Sequence, residues 1–321
     1  MEGSMSSISD KIRHDFKTGD DIRDAGLTTP EDVVRYDDIC YGTDETWQIM
    51  DIYLPKSFVD GRKAAEEKID LFDSDIQGSG SVKKLPVIVS VHGGAWVYGT
   101  KETYQFYCMS LAQRGFAVVN FTYRLAPEFK FPASVEDTNL VMKYVFDNAD
   151  KYGFDTGRIY AVGDSAGAHI LTIYTAILTD QKYASRYDFK IPEGFSFKAV
   201  ALNCGKYSFR IDDRIFEGGD KALLEEVLSE HGTDSEMELI NIIDYVNPAF
   251  PPVFVMTASD DFLKGQSVLL AGKLVEEKVP FTFKCYGSAD HPLYHVFHCD
   301  TRSVDAARCN DDECGFFSSI L

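Results

Sequence analysis

No part of this 321-residue sequence contains the roughly 18 consecutive apolar residues that a membrane-spanning helix needs. The first residues, MEGSMSSISDKIRH, also lack the apolar stretch of a secretory signal peptide. Basic residues are scarce: the chain has 32 lysines and arginines but 51 aspartates and glutamates, which gives a formal charge of −19. Such a surface repels phosphate backbones and anionic lipid headgroups. We therefore predict a cytoplasmic protein with neither nucleic acid nor membrane as a partner, and leave open whether identical chains assemble into a homo-oligomer.

Paired cysteines are missing as well. The seven cysteines are scattered along the chain, and no two of them form a Cys-x-x-Cys pair. This pattern predicts reduced, mostly buried thiols. Glycine and proline, at 24 and 11 residues, are too few for a collagen-like chain, and the 45% apolar fraction is too high for a disordered one. The chain is therefore expected to fold into an ordinary globular protein with a large core.

Internal repeats are not visible, and the order of elements is more informative. Short Val/Ile-rich runs alternate with longer stretches of helical period, which is typical of βαβ units around a parallel sheet. We predict strands over 33–41, 47–54, 86–91, 116–121, 158–162, 197–202, 253–257 and 281–286. We predict helices over 134–148, 170–178, 221–228, 268–275 and about 303–320. The first two strands alternate polar and apolar residues and predict an antiparallel start to the sheet. The hydrophilic segment 56–84 predicts an exposed connection, mobile at its Gly/Ser end.

Residues 206–246 exceed what the sheet needs, since they separate two strands that a short crossover could join. Open α/β sheets bind ligands at the carboxyl ends of their strands, and connections of this excess length are usually functional or disordered. We predict that the segment is a lid, with a longer connecting helix as the alternative. Residues 1–321 would form a single domain, with small helical cap elements at about 1–32 and 206–246.

The strongest chemical signal is Gly163-Asp164-Ser165-Ala166-Gly167, directly after one predicted strand and directly before a periodic helix. A serine hydroxyl is a weak nucleophile unless a tight turn exposes it within reach of a base. That strand-to-helix turn requires a positive φ at the serine and very small residues two positions to either side. The two glycines meet this requirement, so we predict Ser165 as a nucleophile. The alternative is a glycine-rich loop with an incidental serine.

A second signal, His92-Gly93-Gly94-Ala95-Trp96, ends the predicted strand 86–91. Acyl transfer builds negative charge on the carbonyl oxygen, which preorganised backbone N–H groups can stabilise. Adjacent glycines let the main chain approach a substrate closely. We predict Gly93, Gly94 and Ala166 as the donors of an oxyanion hole. A plain β-turn is the alternative, and His92 is expected to be structural.

Together with Tyr-Arg-Leu-Ala-Pro-Glu at 123–128, Phe-Pro-Ala at 131–133 and Asp137, these motifs resemble the α/β-hydrolase fold. Within it they are similar to the hormone-sensitive-lipase-like group of carboxylesterases and its bacterial acetyl and feruloyl esterase relatives. The resemblance runs from about residue 51 to the end of the chain. It implies a mostly parallel central sheet flanked by helices, and supporting roles only for Arg124, Glu128 and Asp137.

The resemblance also implies an acid after the predicted strand 253–257. The chain there reads Ala258-Ser259-Asp260-Asp261-Phe262-Leu263, where the family has an Asp usually followed by Pro and Leu. Asp261 aligns best, although Phe262 replaces the usual proline. Asp260 is the alternative, with a helix cap or a solvated turn as its ordinary role.

For the base, the family places a histidine in the loop after its last strand, commonly as His-Gly-Phe or His-Val-Phe. His295-Val296-Phe297 fits that form if a local insertion is assumed, whereas His291 lies nearer the strand. We therefore predict His295, then His291, then His298. The three histidines beside Cys299 could alternatively bind a metal, but Pro292 argues against the helix that this would need.

We predict a serine carboxylesterase, free of metal and cofactor, that acts on small-molecule esters of short acyl chains or small aromatic acids. The alternatives are an amidase or formamidase on the same fold, and a non-catalytic small-molecule-binding homologue. Five residues are candidates for contact with the substrate: Trp96, Tyr98, Asp164, Phe209 and Phe216.

Overall fold

The computed structural model describes residues 7–71, 84–210 and 219–320. Its eight strands are β1 (Val33–Cys40), β2 (Ile49–Pro55), β3 (Leu85–Val91), β4 (Ala117–Phe121), β5 (Phe154–Asp164), β6 (Ala199–Asn203), β7 (Val253–Ala258) and β8 (Phe281–Tyr286). The described α-helices are α1 (Ile8–Asp24), α2 (Lys56–Leu71), α3 (Lys101–Gln113), α4 (Ala133–Asp147), α5 (Ala149–Tyr152), α6 (Ala166–Thr179), α7 (Gln181–Ala184), α8 (Gly219–Val227), α9 (Asp234–Ile240), α10 (Lys264–Glu276) and α11 (Val304–Ser319). Short 3₁₀ turns occupy Ile242–Tyr245 and Phe297–Cys299.

All eight strands form one sheet in the order β1-β2-β4-β3-β5-β6-β7-β8. β1 pairs antiparallel with β2, and β2 antiparallel with β4, while every later pairing is parallel. The predictions of a mostly parallel sheet and of its antiparallel start are therefore confirmed. Because parallel neighbours point their carboxyl ends the same way, the loops after β3, β5, β7 and β8 open at one edge.

The core lies on both faces of this sheet. In β3, Val87, Val89 and Val91 join one buried apolar cluster, whereas Ile88 between them joins another. Successive side chains of a strand point to opposite faces, so the two clusters lie on opposite sides and both are covered. This double covering explains why the central strands appear in the sequence as continuous apolar runs.

A third apolar cluster joins α1 to the loop after β3. Ile12 of α1 packs with Ala95 and Val97 of that loop and with Leu223 and Leu224 of α8. At the start of α1, the main-chain N–H groups of residues 8 and 9 donate to the Glu226 carboxylate, both over 3.1 Å. The N-terminal helix is therefore held against the loop that contains HGGAW.

The strand predictions agree with the structure to within a few residues, but six of the described helices had no predicted range: α1, α2, α3, α5, α7 and α9. The prediction of an exposed connection over 56–84 is wrong for Lys56–Leu71, which is helical. Phe58 and Val59 are both buried there, at 8% exposure. Among residues 56–65, whose side chains the structure describes, the buried apolar side chains are Phe58 and Val59, and so few in a polar stretch give a weak helical period. The Gly/Ser end of the segment lies outside the described residues.

The cysteine prediction is confirmed, since all seven are free and five of them are buried. Among the described helices, none combines the length and the apolar character that crossing a bilayer requires.

Candidate active site

Ser165 occupies the turn between β5 and α6, with φ of 53° and ψ of −118°. Its main-chain N–H donates to the Asn203 carbonyl oxygen over 3.0 Å. A Cβ atom at Gly163 would lie 2.7 Å from the Gly167 carbonyl oxygen, and one at Gly167 only 2.0 Å from the Val91 carbonyl oxygen. The positive φ and the crowded glycines are those that the motif predicted.

The same crowding makes a stability prediction. Gly167→Ala should lower the free energy of unfolding by about 3 kcal/mol or more, because backbone rather than a flexible side chain blocks the new methyl group. Gly272→Ala in α10 is the matched control, since nothing lies within 4 Å of a Cβ there. The control should be neutral or stabilising by about 1 kcal/mol, because alanine favours a helix. Urea denaturation measures both, and equal effects would contradict the packing account.

Asp261 and His295 form a hydrogen-bonded pair at the same edge of the sheet. His295 Nδ1 lies 2.7 Å from Asp261 Oδ1, and the two side chains are 15% and 0% exposed. Asp261 also accepts bonds from Thr257 Oγ1 (2.8 Å) and from the Leu263 N–H (2.9 Å). Burial alone would raise the pKa of Asp261, but the hydrogen bond and charge of His295 with these other donors lower it below its ordinary value. The Asp261 carboxylate is therefore ionised in this pair and accepts a hydrogen bond from His295 Nδ1. His295 Nε2 is then the ring nitrogen that does not bond to Asp261.

The alternative residues lie elsewhere. His291 is 66% exposed and bonds to Asp305 Oδ2 over 2.7 Å. His298 is fully buried, which lowers its pKa to about 3, and its Nε2 lies 3.7 Å from Cys299 Sγ. Asp260 accepts a hydrogen bond from Ser259 Oγ over 2.8 Å. The structure thus brings Asp261 and His295 together, whereas Asp260, His291 and His298 each have another neighbour.

The metal alternative does not match the structure, because His291 and His298 do not join His295 in a group of possible ligands among the described residues. In the described part of the chain, the group of possible ligands comprises Cys204, Asp261 and His295, whose ligand atoms lie within 4.8 Å of one another. In that group the histidine and the carboxylate already bond to each other. Burial holds the pKa of the Cys204 thiol well above its ordinary value, which disfavours the thiolate that a metal needs.

Ser165 and His295 line two adjoining cavities. Phe16 of α1 and Phe262 contribute to the walls of both. The first, of about 420 Å³, is mostly apolar and is completed by Ala95, Trp96, Ala166, Lys206, Asp220, Leu223 and Leu263. The second, of about 750 Å³, is also mostly apolar in surface but has more charged residues in its wall, and it is completed by Asp15, Gly19, Asp20, Arg23, Gly93, Gly94, Tyr98, Tyr104, Asp164 and Val296.

The five candidate substrate contacts are distributed unevenly. Trp96 lines the first cavity, and Tyr98 and Asp164 line the second. Phe209 is not part of either wall, which corrects the prediction: its ring packs behind Trp96, with centroids 5.8 Å apart. Phe216 lies outside the described residues.

The predicted role of Gly93 needs a correction. Its N–H donates to Tyr104 Oη over 3.0 Å, and that hydroxyl donates to Asp164 Oδ2 over 2.6 Å. The Gly93 N–H is therefore occupied and not free for a substrate oxygen. Burial raises the pKa of Asp164 to about 6, against the lowering effect of the Tyr104 bond. Tyr104 was missed because nothing in the sequence indicates that α3 faces β5.

Other main-chain donors remain near Ser165. Gly94 has φ of 119°, and the next residue, Ala95, also takes a positive φ, of 52°. Among the described residues, the N–H groups of Gly94, Ala95 and Ala166 have no hydrogen-bond partner. All three residues line cavities that Ser165 also lines.

His169 is a further residue that sequence reasoning missed. Trp96 Nε1 donates to His169 Nδ1 over 3.2 Å, and His169 Nε2 bonds to the Ile240 carbonyl oxygen over 2.8 Å. Burial lowers the pKa of His169 to about 4, so it stays neutral and can accept from the indole. The sequence did offer one indication that His169 lies near the site, since it is in α6 one helical turn after Ser165.

The supporting residues brace the loops around the site. Arg124 donates its main-chain N–H to Asp137 Oδ2 over 2.8 Å, and its guanidinium lies 2.9 Å from the same carboxylate. Glu128 binds Arg13 of α1 through two bonds, of 2.8 and 2.6 Å. The N-terminal helix is therefore tied to this segment as well.

Comparisons with known proteins indicate the family of the chain. The model of the BD-FAE family matches residues 75–274, which is more than half of the chain. The alpha/beta hydrolase R526 of Acanthamoeba polyphaga mimivirus is 27% identical over 64% of this chain, although the match spans only 60% of that protein's length. The versiconal hemiacetal acetate esterase of Dothistroma septosporum is 24% identical, over 80% of this chain and 84% of its own.

Among solved structures, esterase B from Lactobacillus rhamnosis shares the fold. It superposes with a TM-score of 0.81 over 97% of this chain and 94% of its own, at 22% identity. The fold, the strand-to-helix serine turn and the family match agree with one another. The chain therefore belongs to the BD-FAE family and has the α/β-hydrolase fold.

Proposed function

We propose that the chain hydrolyses esters through Ser165, His295 and Asp261. The main observation behind this proposal is that Ser165 and His295 line the same two cavities, while His295 Nδ1 lies 2.7 Å from a carboxylate oxygen of buried Asp261. Ser165 Oγ attacks the ester carbonyl as His295 Nε2 takes its proton, and the returned proton lets the alcohol leave. Water activated by His295 then releases the acid and restores the serine. Asp261 fixes the tautomer and stabilises the imidazolium.

We place the oxyanion hole at the N–H groups of Gly94, Ala95 and Ala166. The Gly93 N–H is bonded to Tyr104, which supports a hole formed by the loop N–H groups of Gly94 and Ala95 rather than those of Gly93 and Gly94. Losing one such donor costs about 2.7–4 kcal/mol of barrier in serine hydrolases. Main-chain donors of this kind carry no charge and need no titratable group.

The substrates we propose are esters of short acyl chains or small aromatic acids. The first, apolar cavity, about 420 Å³ in volume, would take the acyl group, and the larger one, with more charged residues in its wall, would take the alcohol. A buried ion pair, Lys206 Nζ to Asp220 Oδ2 at 2.7 Å, limits the apolar surface that a long chain could contact. We propose that α1 and the described parts of 206–246, which are 206–210 and 219–246, act as a cap on this site. The name of the Dothistroma septosporum relative, an acetate esterase, supports a small acyl group.

A panel of p-nitrophenyl esters from acetate to decanoate, with a feruloyl ester and matched amides, tests this proposal. We expect the highest kcat/KM at the short acyl chains and a fall as the chain outgrows the apolar cavity. Covalent labelling by a fluorophosphonate is expected too, because it needs an activated serine. A preference for amides would favour an amidase or formamidase, and an unlabelled, inactive protein would favour a binding homologue.

A further inference from the structure

Behind the serine turn lies a buried carboxylate that the proposed mechanism does not use. Glu313 of α11 is 1% exposed and accepts hydrogen bonds from Asn203 Nδ2 (2.6 Å) and Tyr107 Oη (2.8 Å). Asn203 ends β6, and its carbonyl oxygen accepts the Ser165 N–H over 3.0 Å. We propose that Glu313 is a positioning residue that holds the serine turn in place through Asn203. The proposal rests on the proposed function, because it takes Ser165 as the nucleophile.

The hydrogen bonds around Glu313 suit the ionised carboxylate. Asn203 Nδ2 and the Tyr107 hydroxyl are both donors, and an ionised carboxylate offers an acceptor to each. A protonated carboxyl would turn one of its oxygens into a donor. Asn203 Oδ1 is buried and has no partner among the described residues. The protonated carboxyl would have to donate either to the Tyr107 hydroxyl, which would then lose its acceptor on Glu313, or to Asn203 Oδ1 after the Asn203 amide had turned over.

Such a rearrangement would reach the serine. The Asn203 side chain and the carbonyl that accepts the Ser165 N–H belong to one residue, at the last position of β6. Its register partner in β5 is Asp164, the residue before the serine. A change at the amide therefore acts on the backbone that sets where Ser165 Oγ points, and misplacements of about 1 Å can cost about 100-fold in rate.

The protonation of Glu313 falls in the neutral range. Burial raises its pKa to about 7, against the lowering effects of the bonds from Asn203 and Tyr107 and of the charge of Arg114. The titratable and charged groups around it come from α3, β5, the 3₁₀ turn and α11 itself: Tyr107, Cys108, Arg114, Asp164, His298, Cys309 and Cys314. The positioning bonds are therefore complete above neutral pH and are lost as the pH falls through about 7.

Glu313→Gln tests the proposal, because it keeps the shape and cannot ionise. We expect kcat to fall about tenfold above neutral pH with KM unchanged, since the substrate cavities are untouched. In the wild type, kcat should drop by about tenfold as the pH falls through about 7, because protonation of Glu313 should have the same effect as the substitution. In the variant this tenfold step should be absent. Fluorophosphonate labelling rates across the same pH range should follow the same pattern.

Asp312→Asn is the matched control. Asp312 is next to Glu313 in α11, but its carboxylate accepts a hydrogen bond from the Tyr286 hydroxyl over 2.7 Å and is 32% exposed. This variant should keep the wild-type rate and the tenfold step in kcat near pH 7. Tyr107→Phe is a second variant: it removes a donor to the ionised form, so the Glu313 inflection should move to higher pH. Identical profiles for Glu313→Gln and wild type, or an inflection unmoved in Tyr107→Phe, would overturn the proposal while the esterase stands. A wild type that neither labels nor turns over esters would overturn the proposed function and this inference together.

Discussion

Ser165→Ala should abolish ester hydrolysis and leave the fold intact. The nucleophile and its base act as a unit, so we expect kcat for p-nitrophenyl acetate to fall by about 10⁴- to 10⁶-fold. The fold should survive because, among the described residues, the serine side chain makes no capping bond to α6. Alanine also keeps the same small Cβ at this strained turn. Steady-state kinetics measure the loss, and circular dichroism with a thermal melt checks the fold.

Ser267→Ala is the matched control for this change. Ser267 is also fully buried, its Oγ has no partner among the described residues, and it lies in α10 away from the two cavities. It should keep most of the activity. A Ser165→Ala variant that retained a wild-type rate would show that another group attacks the ester.

His295→Ala should be about as damaging as the serine change. Without the imidazole, Ser165 has no base, and the buried carboxylate of Asp261 loses its partner. Because members of such a unit do not act additively, the double variant Ser165→Ala/His295→Ala should be little worse than either single one. Kinetics with p-nitrophenyl acetate at saturating substrate measure all three.

His291→Ala separates the two histidines that the sequence left in competition. Its side chain is 66% exposed and pairs with Asp305 at the surface, so its loss should change activity by less than about twofold and stability by at most about 1 kcal/mol. If His291→Ala were the crippling change and His295→Ala the mild one, the assignment of the base would be reversed.

The sheet and the serine turn could be predicted because both depend on short stretches of chain. Strands covered on both faces leave continuous apolar runs, as in 86–91, and a strand-to-helix turn needs glycines two residues from its serine. Helix α1 is harder to recognise, although Ser7 accepts a bond from the Asp10 N–H in a capping box. Ser9 and Ile12 are its only buried residues, so the apolar period is weak.

The site itself was predicted in its chemistry and only partly in its geometry. Asp261 and His295 are 34 positions apart in the chain, and only folding shows that their side chains meet. Gly93 was predicted as a donor on the strength of its motif, yet Tyr104 occupies its N–H from a separate helix. The conformation of a main-chain turn depends on residues close to it in the sequence. The hydrogen-bond partner of a main-chain N–H group can come from a distant part of the chain, so the local sequence does not predict it.

The sequence by itself determined the order of the strands along the chain, the serine turn and the glycine-rich loop, because each follows from residues a few positions apart. Only the tertiary structure decided which histidine faces Asp261, which N–H groups stay free beside Ser165, and that Glu313 lies behind the turn. Glu313 and Asn203 are 110 positions apart, and no local pattern connects them. Such contacts arise when α11 packs against the sheet, because packing then brings distant side chains within hydrogen-bond distance.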